Sequence, residues 1–276
     1  MTSDVRPPLR SLERYGGVLF DLDGTLYRGA RPLPGASEFV AACRAAGLRV
    51  AFGTNNALLE RETIAARLRD MGIEAAAGEL VTAPDALASV VLGDGRTSVV
   101  RLGNAGLRES LEAAGLYGPD VMDADPSAVD PERTALAVGL DPERSLAGVA
   151  RAAAIVETGA AVYATAAEPH YPTDRGVEAG TGTMLAALNA MIGIAPVLCG
   201  KPSRHFGERA ARAVQDGRPV LVVGDSLRAD VGIAREMGWD SLLLLTGAAR
   251  EADVPVDGAP THVAADLARV LQDLGA

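Results

Sequence analysis

Gly17-Val18-Leu19-Phe20-Asp21-Leu22-Asp23-Gly24-Thr25-Leu26 decides how the rest of the chain is read. Four residues of apolar character run into two aspartates one residue apart, and a glycine and a threonine then break the run. A short apolar run bounded by glycines reads as a strand buried on both faces, the kind found in parallel sheets. In open α/β sheets ligands sit at the carboxyl ends of strands, so this strand delivers two carboxylates to the place where chemistry is done. Side chains at i and i+2 share a face of an extended segment, and two anions that close repel unless a cation or a proton lies between them. The remainder of the chain should supply more ligands for that cation and a group that holds a substrate.

Outward from this strand the pattern alternates. An amphipathic segment ends at Gly47, and the apolar run Leu48 to Phe52 follows, ending in Gly53-Thr54-Asn55-Asn56. Strand, helix, strand is the crossover that parallel pairing needs. Later apolar runs end in Cys199-Gly200-Lys201-Pro202 and in Gly224-Asp225-Ser226, with Asp230 five positions beyond Asp225. The expected fold is α/β, a doubly wound, Rossmann-like parallel sheet with an inserted α/β cap domain. The expected boundaries are core over 1–90, cap over 91–193 and core again over 194–276. The expected core strands include Ala195 to Cys199.

Composition narrows the function. The 276 residues are 48% hydrophobic and 22% charged, with a formal net charge of -10, which argues against nucleic acid or an anionic membrane as partner. The polar start of the chain does not read as a signal peptide, and no run approaches the ~18 apolar residues of a spanning helix. Two isolated cysteines, Cys43 and Cys199, fit buried reduced thiols, so a cytoplasmic location is expected. Of the three histidines, His170 falls in a polar loop, while His205 and His262 read as surface or capping residues.

Four strand ends therefore offer polar groups: Asp21 with Asp23, Thr54 with Asn55, Lys201, and Asp225 with Asp230. Hard carboxylate oxygens suit Mg²⁺, and no His/Cys spacing suggests zinc. A lysine, a hydroxyl and backbone amides beside a metal make a receptor for phosphate. A carboxylate held against that phosphate can attack phosphorus, while a second one handles protons.

In order and spacing these four segments resemble the motifs of haloacid dehalogenase superfamily phosphatases. The long insert resembles the branch with a large α/β cap, which holds NagD-like, p-nitrophenylphosphatase, phosphoglycolate and glycerol-phosphate phosphatases. The resemblance implies a Mg²⁺-dependent hydrolase of small phosphate monoesters working through a phospho-aspartate. It implies Asp21 as nucleophile and metal ligand, and Asp23 as acid/base that also binds metal through its carbonyl. It further implies Thr54 and Asn55 on the phosphoryl oxygens, Lys201 between nucleophile and phosphate, and Asp225 and Asp230 on the metal. Glu168, His170, Tyr171 and Arg175 are candidates to touch the leaving group, and the cap is a candidate homodimer surface. The chain departs from that branch at Ala57-Leu58, where serines are common, and at Ala164-Thr165-Ala166-Ala167-Glu168, where Ala-Thr-Asn-x-Asp is common. Glycerol phosphate and phosphoglycolate lead the substrates, with nucleotides, sugar phosphates and pyridoxal phosphate as alternatives. A receiver-like phospho-switch without turnover is the alternative from another class.

Overall fold

The computed structural model describes residues 8–173, 176–254 and 260–275. The chain divides into two compact units, one of Met1–Thr54, Arg61–Val81 and Lys201–Ala276, the other of Asn55–Glu60 and Thr82–Gly200.

The first unit opens with β1 (Gly17–Phe20), a short hairpin of β2 (Tyr27–Arg28) and β3 (Arg31–Pro32), α1 (Ala36–Ala45), β4 (Arg49–Thr54), α2 (Arg61–Asp70) and β5 (Leu80–Thr82). All four residues of β1 are buried, as a central strand covered on both faces requires. Phe20 stacks on Phe52 of β4 with ring centroids 6.1 Å apart and meets Phe39 of α1 edge-on at 5.9 Å, so one aromatic ties two strands to a helix. Gly47 adopts φ 76° after α1, a left-handed turn that glycine takes without steric cost.

The second unit contains α3 (Ala83–Gly93), β6 (Ser98–Leu102), α4 (Ala105–Ala113), β7 (Thr134–Val138), α5 (Leu146–Glu157), β8 (Ala161–Ala164), the antiparallel pair β9 (His170–Thr173) and β10 (Gly176–Ala179), α6 (Thr181–Ile192) and β11 (Val197–Leu198). Its four-stranded sheet has the order β11-β8-β7-β6 with every pair parallel. Val100, Leu102, Leu136 and Val138 form a core with Val149 and Ala152 of α5 and Leu185 and Leu188 of α6.

The chain then completes the first unit with α7 (Arg204–Val214), β12 (Val220–Gly224), a π turn over Leu227–Val231, α8 (Gly232–Met237), β13 (Asp240–Leu244), β14 (His262–Ala264) and α9 (Leu267–Leu274). The six-stranded sheet runs β14-β13-β12-β1-β4-β5, and β1 lies parallel to both β12 and β4. Among the described residues no helix is long and apolar enough to cross a membrane.

Three expectations need correction. The run 195–199 was expected in the core sheet, yet β11 pairs with β8 in the second unit, whose boundaries at 82 and 200 also take in α3. A short apolar strand carries no mark of which sheet it joins, because its pairing is decided by the crossover before it. His170, expected in a polar loop, instead begins β9, which pairs antiparallel with β10. His262 is buried, 8% exposed, with its ring nitrogen Nε2 3.4 Å from the hydroxyl of fully buried Tyr15, which donates to Asp240 at 2.8 Å.

Both cysteines are fully buried, and burial pushes each thiol up to about 12. The thiolate is the reactive form. Iodoacetamide at pH 8 should therefore leave Cys43 and Cys199 unmodified in the native protein and label both in denaturant, as intact-mass spectra would record. Rapid native labelling of either would contradict this packing.

Candidate active site

Register brings the site together. Phe20 lies beside Val223 on one side and Phe52 on the other, so the residues that follow, Asp21, Gly224 and Gly53, leave one edge of the sheet side by side. The Asp21 amide donates to the Val223 carbonyl at 2.8 Å, prolonging the ladder up to the nucleophile position. Lys201 approaches the same point, and its Nζ lies 2.5 Å from Asp21 Oδ1, 2.8 Å from Asp230 Oδ1 and 3.1 Å from the Gly53 carbonyl. Thr25 donates its hydroxyl to Asp21 Oδ2 at 3.3 Å. The Ser226 amide donates to Asp230 Oδ2 at 3.0 Å, and the Ala248 amide to Asp225 Oδ2 at 2.6 Å.

Charge at this edge is unbalanced. Asp21, Asp225 and Asp230 each bring a carboxylate oxygen within 4.8 Å of the others, and Asp225 and Asp230 are buried. Lys201, 4% exposed, faces two of them. Burial raises the Asp21 carboxyl well above the ordinary carboxylate range, Lys201 opposes, and Asp230 and Asp225 raise it further. Burial and the Asp230 charge raise Asp225 to about 6, against the Ala248 amide and Lys201. Burial alone would lower the Lys201 ammonium, but Asp21 and Asp230 turn the shift upward, so it stays charged. Three carboxyls crowded against one ammonium ionise together only with further positive charge beside them, which a divalent cation would supply.

The surroundings fit such a cation. Its donors are all oxygens, the set preferred by Mg²⁺. Backbone closes around them so tightly that a Cβ on Gly247 would lie 1.7 Å from Asp225 Oδ2, and one on Gly224 would lie 2.2 Å from Asp230. Gly24, at φ 82°, would bring a Cβ to 2.5 Å from Asp225 Oδ2. Gly247→Ala should displace the Asp225 carboxylate and weaken Mg²⁺ affinity roughly 10–100-fold, the usual effect of disturbing a group that orients a ligand. Titrating Mg²⁺ into the metal-free protein by calorimetry checks it; an unchanged isotherm would contradict the cradle.

Asp23 stands apart from the cluster. Its residue surface is exposed, but the surrounding protein still raises its carboxyl above the usual value, with the Arg67 charge and a hydrogen bond with Tyr27 opposing. Arg67 sits over the Tyr27 ring at 4.9 Å and donates to the Gly29 carbonyl. A carboxyl with a raised pKa holds a proton closer to neutral pH, which suits an acid/base.

The remaining predicted residues lie as follows. Thr54 is buried at the end of β4, and Asn55 belongs to the second unit with Gly200, where a Cβ would come within 2.5 Å of Asn55 Oδ1. In the second unit Glu168 precedes β9 and has one buried carboxylate oxygen with no hydrogen-bond partner among the described residues. His170 is exposed, Tyr171 donates to Glu178 Oε2 at 2.9 Å, and Arg175 lies outside the described residues. Sequence reasoning missed Tyr27, Arg67 and the Gly247-Ala248 backbone. The last of these follows β13, a strand end without a charged side chain, and the rule that ligands gather at strand ends could have found it.

The chain is similar to known hydrolases over most of its length. A model of the haloacid dehalogenase-like hydrolases matches residues 18–117, and a second HAD-hydrolase-like model matches 198–270. A D-glycerol 3-phosphate phosphatase of Mycobacterium tuberculosis is 33% identical over 262 residues, which cover 93% of this chain and 71% of that protein. An acid sugar phosphatase of Staphylococcus saprophyticus is 29% identical over 95% of this chain and 99% of its own length. The crystal structure of a Mycobacterium tuberculosis glycerol phosphate phosphatase in complex with magnesium superposes with a TM-score of 0.83 at 30% identity, covering 97% of this chain and 80% of that one.

Proposed function

This chain belongs to the haloacid dehalogenase-like hydrolase family, and on that premise we propose that it is a Mg²⁺-dependent phosphatase of small phosphorylated metabolites, working through an aspartyl phosphate on Asp21. The observation that carries the reading is the Lys201 ammonium, wedged between Asp21 Oδ1 and Asp230 Oδ1 beside Asp225. Lys201 opposes the upward shift that burial imposes on Asp21, so it favours the ionised, nucleophilic form and sets fixed positive charge next to the target.

In the first step Asp21 attacks phosphorus, the bond from phosphorus to the ester oxygen breaks, and Asp23 gives its proton to the departing alkoxide. In the second, Asp23 takes a proton from water, the water oxygen attacks phosphorus, and Asp21 leaves as a carboxylate with inorganic phosphate as product. Lys201 neutralises the phosphoryl oxygens, and Thr54 and Asn55 are assigned hydrogen bonds to them. Asp21, Asp225, Asp230 and the Asp23 carbonyl are the proposed metal ligands. Bound there, Mg²⁺ supplies Lewis-acid polarisation of the phosphoryl group.

Glycerol phosphate leads the substrate class, since relatives of this chain include a D-glycerol 3-phosphate phosphatase and an acid sugar phosphatase. Glu168 supports the same choice: a buried carboxylate oxygen without a donor among the described residues suits a leaving group that brings hydroxyls and disfavours a second carboxylate such as that of phosphoglycolate. His170, Tyr171 and Arg175 complete the proposed leaving-group contacts. The reading extends to a cytoplasmic enzyme, supported by its two buried thiols, and to a homodimer through the second unit, supported by exposed Leu146 and Val177 there.

Phosphate release from glycerol 3-phosphate, phosphoglycolate, nucleoside monophosphates and sugar phosphates tests it. Glycerol 3-phosphate should turn over fastest, and EDTA should abolish turnover until Mg²⁺ is added back. Full activity in EDTA, or no turnover of any ester, would overturn the proposal.

A further inference from the structure

The second unit holds a cleft of its own, about 390 Å³, at the carboxyl edge of β6 and β7, and none of its lining residues belongs to the acidic cluster. That volume lies in the range of small-molecule sites, and that edge is where open α/β sheets take ligands. Its charged lining is Arg101, Arg108 and Arg144 with Asp120, Asp141 and Glu143.

These charges do not pair evenly. Arg144 spends its whole guanidinium on the two aspartates, with Nη1 and Nη2 on the Asp120 oxygens at 3.0 and 2.9 Å and Nε on Asp141 Oδ2 at 3.0 Å. Asp120 Oδ1 also accepts the Met122 amide at 3.0 Å, and Asp141 Oδ1 accepts the Glu143 amide at 3.2 Å. Arg101 is left over. Its nearest carboxylate oxygen, Asp120 Oδ2, is 3.6 Å away, and among the described residues its guanidinium donates no hydrogen bond although its side chain is only 16% exposed. A guanidinium carries five donors, and those of Arg101 line the cleft with no acceptor within hydrogen-bond distance among the described residues. Arg108, about half-exposed, has among the described residues only Glu60 at 3.7 Å, a pairing weak at a surface.

Backbone does not compete for an anion here. The Ala105 amide is taken by Asn104 Oδ1, and those of Gly106 and Leu107 by the carbonyls of Leu58 and Ala57. We propose that the cleft binds a small metabolite through its oxyanion, carboxylate or phosphate, held by the guanidinium groups of Arg101 and Arg108. Both anions present planar or near-planar oxygen pairs that a guanidinium fork grips bidentately. Glu143, exposed on the same lining and without a side-chain hydrogen bond among the described residues, suits a hydroxyl or ammonium at the ligand's other end.

Amide and arginine Nε–H spectra of the ¹⁵N-labelled full chain, titrated separately with inorganic phosphate and with acetate, test this. Saturable shifts are expected at Gly103 to Ala105 and at the Arg101 Nε–H with at least one anion. Phosphate alone would identify a phosphate site, and response to acetate a carboxylate site. Arg101→Gln and Arg108→Gln should each weaken that response tenfold or more while leaving the phosphate shifts at Leu22 to Thr25 intact. Because Arg108 is half-exposed, its variant keeps the test open if Arg101→Gln fails to fold. No saturable shift at Gly103 to Ala105 with either anion, or unchanged affinity in both variants, would overturn the proposal.

Discussion

Asp21→Asn is expected to reduce turnover by a factor on the order of 10⁴ to 10⁶, the scale on which enzymes lose rate when their nucleophile is removed. The substitution hardly disturbs the shape of the site, since an amide oxygen can still accept from Lys201 Nζ, now 2.5 Å from Asp21 Oδ1. What disappears is the negative charge, and with it part of the repulsion from Asp225 and Asp230 that raises the Asp21 carboxyl. Two readouts should therefore move in opposite directions: phosphate release collapses, while the melting temperature of the metal-free variant holds or rises. Asp23→Asn provides the contrast, with both formation and hydrolysis of the phosphoenzyme slowed roughly 10²–10⁴-fold, as for loss of an acid/base. Equal phosphoenzyme formation in the two variants would contradict the division of labour between these neighbours.

Lys201→Met should be the most destabilising single change at the site, by about 3–5 kcal/mol in denaturant melts of the metal-free protein at pH 7. Removing the ammonium leaves buried Asp230 and part-buried Asp21 facing each other without compensation. The direction of the pH dependence follows from linkage. Carboxyls whose folded pKa lies above the unfolded value of about 3.9 bind protons in the native state that the unfolded chain has released, so stability falls as pH rises through that window. In Lys201→Met the folded values rise further, and the deficit relative to the wild type should shrink as pH is lowered toward about 4. Millimolar Mg²⁺ at pH 7 should recover part of it. A deficit that stays constant between pH 4.5 and 7 would mean that Lys201 acts through packing rather than charge.

Much of this site could be read before the fold was seen, for a physical reason. Asp21, Lys201 and Asp225 each follow an apolar run and sit among glycines or a proline, so burial, strand and turn signals coincide at one residue. Parallel register then brings together positions that are far apart in the chain. The parts that could not be read depend on contacts without a local signature. Tyr27 and Arg67 meet at Asp23 through a two-residue hairpin and a helix surface. Ala248 serves Asp225 with its backbone amide, which any residue possesses. Val197 and Leu198 look like a core strand by composition, and only their pairing with Tyr163 and Ala164 assigns them to the second sheet. His262 reads as a surface residue until Tyr15 and β14 enclose it.

The central claim is a covalent intermediate on Asp21, and rapid acid quench with a ³²P-labelled phosphate monoester tests it most directly. The label should appear within the first turnover on the peptide containing Asp21, survive acid, be released by hydroxylamine as acyl phosphates are, and be absent from Asp21→Asn. A wild-type enzyme that releases labelled phosphate with no protein-bound label at any quench time, or an Asp21→Asn variant labelled as strongly as the wild type, would contradict it.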